Sequence, residues 1–210
     1  MNSVENIIAK QLLEIKAVIL SPETPFTWAS GWKSPIYCDN RKILSYPVAR
    51  QTVARALAEV VKEHYPDADI IAGVATGAIA WGIMTAEILG NPFAYVRPKP
   101  KDHGTMGQVE GEVPDGSKVV VIEDLISTGS SSLSAVDALL AHGAEVLGMA
   151  AIFSYNFDKA RRAFENSNCE LRTLTNYDTL IEEAIRSNYI GKEAVETLQE
   201  WRFRPDQWGK

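Results

Sequence analysis

Two adjacent acids, followed closely by a run of hydroxyls and a glycine, form the most chemically loaded stretch of the chain. They are Glu123 and Asp124, then Ser127, Thr128, Gly129, Ser130 and Ser131, within KVVVIEDLISTGSSS at 118–132. The β-branched apolar run before the acids reads as a buried strand, and a helix is expected directly after the hydroxyls. In a parallel sheet, ligands gather at the carboxyl ends of strands. The first turn of the next helix presents free N–H groups and the positive end of its dipole. Phosphate binds there without a lysine, ringed by N–H and hydroxyl donors. Gly129 lets the backbone come close to the anion. Two carboxylates facing a phosphate would repel it, so they face something else. The consistent partner is a vicinal diol, whose hydroxyls donate to carboxylates. A ribose 5-phosphate satisfies both halves. The glycine-rich loop ending in GK[ST] and the dinucleotide GxGxxG pattern are both absent.

A second cluster is cationic. Arg97, Lys99, Lys101 and His103 crowd into YVRPKPKDHG, diluted only by Asp102, and Gly104, Gly107 and Gly111 follow as hinges. Pro98 and Pro100 cannot donate to a sheet ladder, so a loop is expected from Pro98 to about Pro114. Loops beyond about 12–15 residues in compact domains are usually functional lids or disordered. A cationic flap suits a diphosphate leaving group, offsetting charge that builds as its bond breaks. Closure would also keep water from the activated sugar. Two further segments carry chemistry: GVATGAIA at 73–80, between a strand and a helix, and FTWASGWKSPIYCDNR at 26–41, rich in aromatics.

The elements that must position these residues alternate. Helices are expected over Val4–Leu20, Pro47–Tyr65, Ala78–Leu89, Ser130–His142 and Asp158–Asn166. Strands are expected over Ile36–Arg41 (in a short hairpin), Asp69–Val74, Phe93–Arg97, Lys118–Ile122, Val146–Phe153 and Leu171–Leu174. Two helical segments close the chain. Strands alternating with helices imply an α/β fold, a central parallel sheet of about five strands with helices on both faces. The 210 residues suit one domain with its own core. A net charge of −6 argues against broad nucleic-acid binding. Cys38 and Cys169 form no metal-ligand spacing and no disulfide framework, which points to a reducing cytoplasm. No window approaches the roughly 20 apolar residues of a membrane span, and the N-terminus lacks the pattern of a signal peptide. His64 and His142 are expected at solvated helix ends, with Trp201 and Trp208 anchoring the tail.

VVVIEDLISTGSS resembles the phosphoribosyl diphosphate (PRPP) motif of type I phosphoribosyltransferases. The resemblance implies that fold, a single domain over 1–210 with a core at about 46–175, and a small hood from about 21–45 and the C-terminal segment. It implies that Glu123 and Asp124 hold the ribose 2′- and 3′-hydroxyls, while the turn through Leu125, Ile126, Ser127, Thr128, Gly129, Ser130 and Ser131 holds the 5′-phosphate. RPKPKDHG resembles the catalytic loop of orotate phosphoribosyltransferases, which reaches across a homodimer. Arg97, Lys101 and His103 match its PRPP contacts, with Lys101, His103 and Asp124 as the catalytic set. GVATGAIA resembles the diphosphate loop, whose cis peptide falls by position between Ala75 and Thr76. FTWASGWKSPIYCDNR resembles the hood that reads orotate through positions Tyr37 and Cys38, joined by Ser127.

The departures are as specific. Pro98 stands where many members have lysine, Gly77 where some have one, and Ala29 likewise. An arginine that contacts orotate in some members has no counterpart around Tyr155-Asn156. The implied reaction is orotate plus PRPP giving orotidine 5′-monophosphate and diphosphate, with Mg2+ held mainly through PRPP and by no direct protein ligand. A purine or xanthine phosphoribosyltransferase shares the motif, as does a PRPP-sensing regulator. The hood opposes the first. The second usually carries a DNA-binding domain, for which about 20 residues ahead of the hood are too few.

Overall fold

The computed structural model describes residues 3–28, 30–99 and 107–209. Its first helix, α1 (Val4–Glu14), is capped by the Ser3 hydroxyl, which accepts from the Asn6 N–H. It ends earlier than apolar spacing suggests. Lys16 adopts a left-handed φ of 55°, which breaks the helix. The β-branched residues beyond it form β1 (Val18–Leu20). Short strands β2 (Phe26–Thr27) and β3 (Lys33–Ser34) pair antiparallel, and β4 (Ile36–Cys38) pairs antiparallel with β1. The expected strand over Ile36–Arg41 therefore stops at Cys38. A 3-10 turn, Asn40–Ser45, follows, because the Asp39 side chain accepts from the Arg41 N–H and curls the chain.

The core comprises α2 (Pro47–His64), β5 (Ile70–Val74), α3 (Ile79–Leu89), β6 (Phe93–Val96), β7 (Val109–Glu110), β8 (Lys118–Ile126), α4 (Ser130–Ala141), β9 (Glu145–Ser154), α5 (Asp158–Asn166) and β10 (Leu171–Asn176). Two helices, α6 (Tyr177–Arg186) and α7 (Ala194–Phe203), close the described chain. The main sheet runs β10-β9-β8-β5-β6-β7. Five strands are parallel, as the alternation implies. The sixth, β7, pairs antiparallel with β6 and lies inside the stretch expected to be a loop. Two residues, Val109 and Glu110, are too short a signal to read as a strand.

Val119, Val120, Val121 and Ile122 are all fully buried, as expected of a strand covered on both faces. β8 does not stop at the acids. It stays paired with β9 through Leu125 and Ile126, so Glu123 and Asp124 project from a rigid strand. Strand order reverses between β5 and β8: the chain proceeds outward from β5 to β6, and from β8 to β9 and β10 in the other direction. The crevice at the carboxyl ends of two such strands is where open α/β sheets bind ligands.

Candidate active site

That crevice contains the acid pair on one side and the 75–78 loop on the other. Glu123 is buried, 5% exposed. Its Oε1 accepts from the Asp124 N–H at 2.9 Å and its Oε2 from the Ser132 hydroxyl at 2.9 Å. Burial, then the neighbouring Asp124 charge, pushes the Glu123 carboxyl up to about 8. Burial also raises Asp124, but its bond with Glu123 and the positive field of Arg41 oppose the rise. Burial thus raises both carboxyls, which differ in surroundings: Glu123 is enclosed, and Asp124 lies in the positive field of Arg41. Asp124 lies against Gly77 so closely that a Cβ there would overlap its carboxylate. The Ala75–Thr76 peptide bond is cis, as the resemblance to a diphosphate loop implied.

Ser127 and Thr128 lead from β8 into the N-terminus of α4, whose cap residue Gly129 has φ 81°, a conformation that favours glycine. Ser130 and Ser131 are exposed on the first turn of α4. Ile126 is wholly buried, and its carbonyl accepts from the Tyr155 N–H at 3.1 Å. Leu125 faces a cavity that the phosphate turn enters only through Ser127. It joins Thr27, Trp28, Tyr37, Cys38, Ser127 and Tyr155 around a cavity of about 260 Å³. The three residues expected to read the base, Tyr37, Cys38 and Ser127, come together there from positions far apart in sequence. Burial, then the Asp124 and Asp39 carboxylates, raises the Cys38 thiol, so it is neutral.

Arg97 sits at the end of β6. Its N–H donates to the Gln108 carbonyl at 2.8 Å, and its guanidinium lies 3.6 Å from Glu110 on β7. Lys99 is exposed. Lys101 and His103, expected in the lid, lie outside the described residues.

Sequence reading passed over several contributors. Asn40 is 1% exposed. Its Nδ2 donates to the Asp124 carbonyl at 2.5 Å, and its Oδ1 accepts from the Cys38 thiol at 3.4 Å. It links the hood to the acid strand, but an isolated asparagine in a turn carries no signal of a partner 84 residues away. Ser132 lies one place past the hydroxyls assigned to phosphate. Tyr155 is 2% exposed and makes no side-chain hydrogen bond to the described residues. Its ring is set by Trp28, Phe157 and Trp201, at centroid distances of 5.2, 5.4 and 5.7 Å. Trp201, from α7, donates its Nε1 proton to the Lys33 carbonyl at 3.1 Å, which fastens the hood to the body. His64 and His142 are exposed at helix ends, as expected.

Acids on a strand end, a phosphate-sized turn at a helix start and a parallel sheet beneath them define a phosphoribosyl transferase. The family model of the phosphoribosyl transferase domain matches residues 40–186. Orotate phosphoribosyltransferase of Porphyromonas gingivalis is 56% identical over 209 residues, covering 100% of each chain. The chain belongs to the orotate phosphoribosyltransferase branch of this family. Among solved structures, orotate phosphoribosyltransferase from Aeropyrum pernix superimposes with a TM-score of 0.76 at 30% identity, over 88% of this chain and 99% of that one. UMP synthase of Leishmania donovani superimposes with a TM-score of 0.79 at 28% identity, over 94% of this chain but only 42% of that one. The family match begins at Asn40, so most of the 21–45 segment lies outside it.

Proposed function

We propose that this enzyme transfers the 5-phosphoribosyl group from PRPP to orotate, giving orotidine 5′-monophosphate and diphosphate in pyrimidine (UMP) biosynthesis. One observation carries the reading. The cavity lined by Tyr37, Cys38 and Ser127 adjoins the strand-to-helix turn that carries Glu123 to Ser131. A planar base in the cavity and a ribose 5-phosphate on the turn would then meet at C1 of the sugar.

In this reading the turn Ser127–Ser131 anchors the 5′-phosphate. Asp124, with Glu123 behind it, accepts from the ribose hydroxyls. The loop at Ala75 and Thr76 contacts diphosphate, and Arg97, Lys101 and His103 gather its charge as it leaves. The bond from C1 to the diphosphate oxygen breaks, the bond from C1 to the pyrimidine nitrogen forms, and the proton of that nitrogen passes to the departing diphosphate or to water. Orotate is already anionic, so a strong base is not needed. The residues act mainly by position and by electrostatics. Tyr37 and Cys38 read the ring through backbone groups. Buried Tyr155, whose hydroxyl burial holds well above its ordinary range, adds a proton donor.

The donor set suits Mg2+, which prefers carboxylate, phosphate and water oxygens and keeps several waters. In this reading the ion is held chiefly through PRPP, near Asp124. When bound, it lowers the charge on the leaving group. The exposed apolar residues Val48, Ile83 and Ile88 on α2 and α3 support a homodimer in which each lid serves the neighbouring site. The free thiols of Cys38 and Cys169 support a cytoplasmic setting. Among the described residues no helix is long and apolar enough to cross a membrane.

The test is the fall in orotate absorbance with PRPP and magnesium, run beside hypoxanthine, xanthine and adenine. Orotate turnover with purines inert is the expected result, and purine turnover in its place refutes the proposal. Lys101→Ala is expected to lower kcat by at least ~100-fold, within the range set by losing one preorganised charge contact, while orotate binding changes little. Equal losses in both would remove the lid from the chemistry.

A further inference from the structure

Orotate differs from other pyrimidine bases in carrying a carboxylate, and the base cavity has no charged wall. Its lining is Thr27, Trp28, Tyr37, Cys38, Leu125, Ser127 and Tyr155. An anion that leaves water for such a space needs a cation near by. Arg41 is held by Asp39, at 2.7 Å from its Nε, and Arg97 lies beside Glu110. Lys33 stands differently. Its ammonium donates to the Thr27 hydroxyl at 2.9 Å, and Thr27 is part of the cavity wall. With its oxygen accepting from a cation, the Thr27 hydroxyl has its own proton left to give inward.

Lys33 is also held in place. Its carbonyl accepts from Trp201 Nε1 at 3.1 Å. Its aliphatic stem runs beside Gly209, where an added Cβ would come within 3.1 Å of the Lys33 Cβ. Thr27 and Lys33 are register partners across β2 and β3, so the pair sits side by side on a hairpin that forms part of the cavity wall through Thr27. The backbone of residue 33 is thus fixed by Trp201 and by the strand pairing, and its side chain is directed by Gly209 and by the bond to Thr27.

We propose that Lys33, acting with the Thr27 hydroxyl, is the specificity-determining group that recognises the carboxylate of the pyrimidine substrate. The proposal rests on the reading of orotate as that substrate.

Steady-state kinetics of Lys33→Met and Thr27→Val test it, with uracil, the same ring without the carboxylate, as a competing inhibitor. For Lys33→Met the expected result is a KM for orotate raised ~10–50-fold, the range for a lost charge-assisted contact. The PRPP KM and the uracil inhibition constant should stay within ~2-fold and kcat within ~3-fold, because nothing else at the site changes. Lys33→Arg should recover most of the affinity. In the wild type, orotate KM should rise with ionic strength, as for an exposed cation, and in Lys33→Met it should not. Thr27→Val should give a smaller shift in the same direction. An unchanged orotate KM in Lys33→Met overturns the proposal. So does an equal weakening of orotate, uracil and PRPP, which would mark the pair as a hairpin staple. Failure of the wild type to consume orotate would instead sink the parent reading, and the Lys33 assignment with it.

Discussion

Glu123 and Asp124 show how two neighbouring acids acquire different properties from their surroundings. Glu123 is enclosed and hydrogen-bonded to Ser132, while Asp124 is partly open and feels Arg41. The raised Glu123 value has a consequence for stability. The unfolded chain releases this proton near 4.5, whereas the folded chain holds it to about 8. Between those values the folded state binds more protons, so its stability falls as pH rises. The contribution is full below 4.5 and lost as pH rises through about 8. Glu123→Gln keeps the shape and cannot titrate. Urea midpoints measured across this window should decline with pH in the wild type and decline distinctly less in the variant. Parallel curves would remove Glu123 as the titrating group. The identity of both acids was legible in the sequence, because their place between a β-branched run and a hydroxyl turn is a local pattern. The inequality between them was not, since it depends on Ser132 and on Arg41, which is 83 residues before Asp124 in the chain numbering.

At the scale of elements, the site depends on two loops that meet at the reversal of strand order between β5 and β8. Gly77 is the closest point of approach. Its lack of a side chain lets Asp124 lie against the loop backbone. Gly77→Ala must move the Asp124 carboxylate. The expected result is a PRPP KM raised about 10-fold, equivalent to about 1.4 kcal/mol, with orotate KM unchanged. The loss of stability should be about 1–3 kcal/mol, the usual cost of overpacking. Kinetics alongside urea unfolding check both, and a variant with normal PRPP affinity would show that the two loops are not coupled there. Long elements were readable from their periodicity: α2, α3 and the parallel strands lie where apolar spacing puts them. Short ones were not. β1 was hidden inside an apparent helix until the left-handed Lys16 separated the two, and β7 consists of two residues. Their pairing partners, not their own composition, make them strands.

At the scale of the whole molecule, α7 holds the hood. Trp201 is wholly buried among Trp28, Tyr155, Phe157 and Tyr177, and its indole N–H bonds to the hood strand. Trp201→Ala should cost about 3–5 kcal/mol, as for large-to-small core changes, and should raise the orotate KM more than the PRPP KM. Equal changes in the two constants would mean that α7 stabilises the body without holding the hood. The order of motifs along the chain was enough to expect this overall plan. That Trp201 packs on Trp28 and Tyr155, two walls of the base cavity, could not be read from an aromatic tail alone.

The span of that clamp also bears on synthesis. Lys33 and Trp201 are 168 residues apart. During translation the hood lacks this tether until α7 has been made. Until then Trp28, a wall of the base cavity, is without the ring that braces it from the far end of the chain.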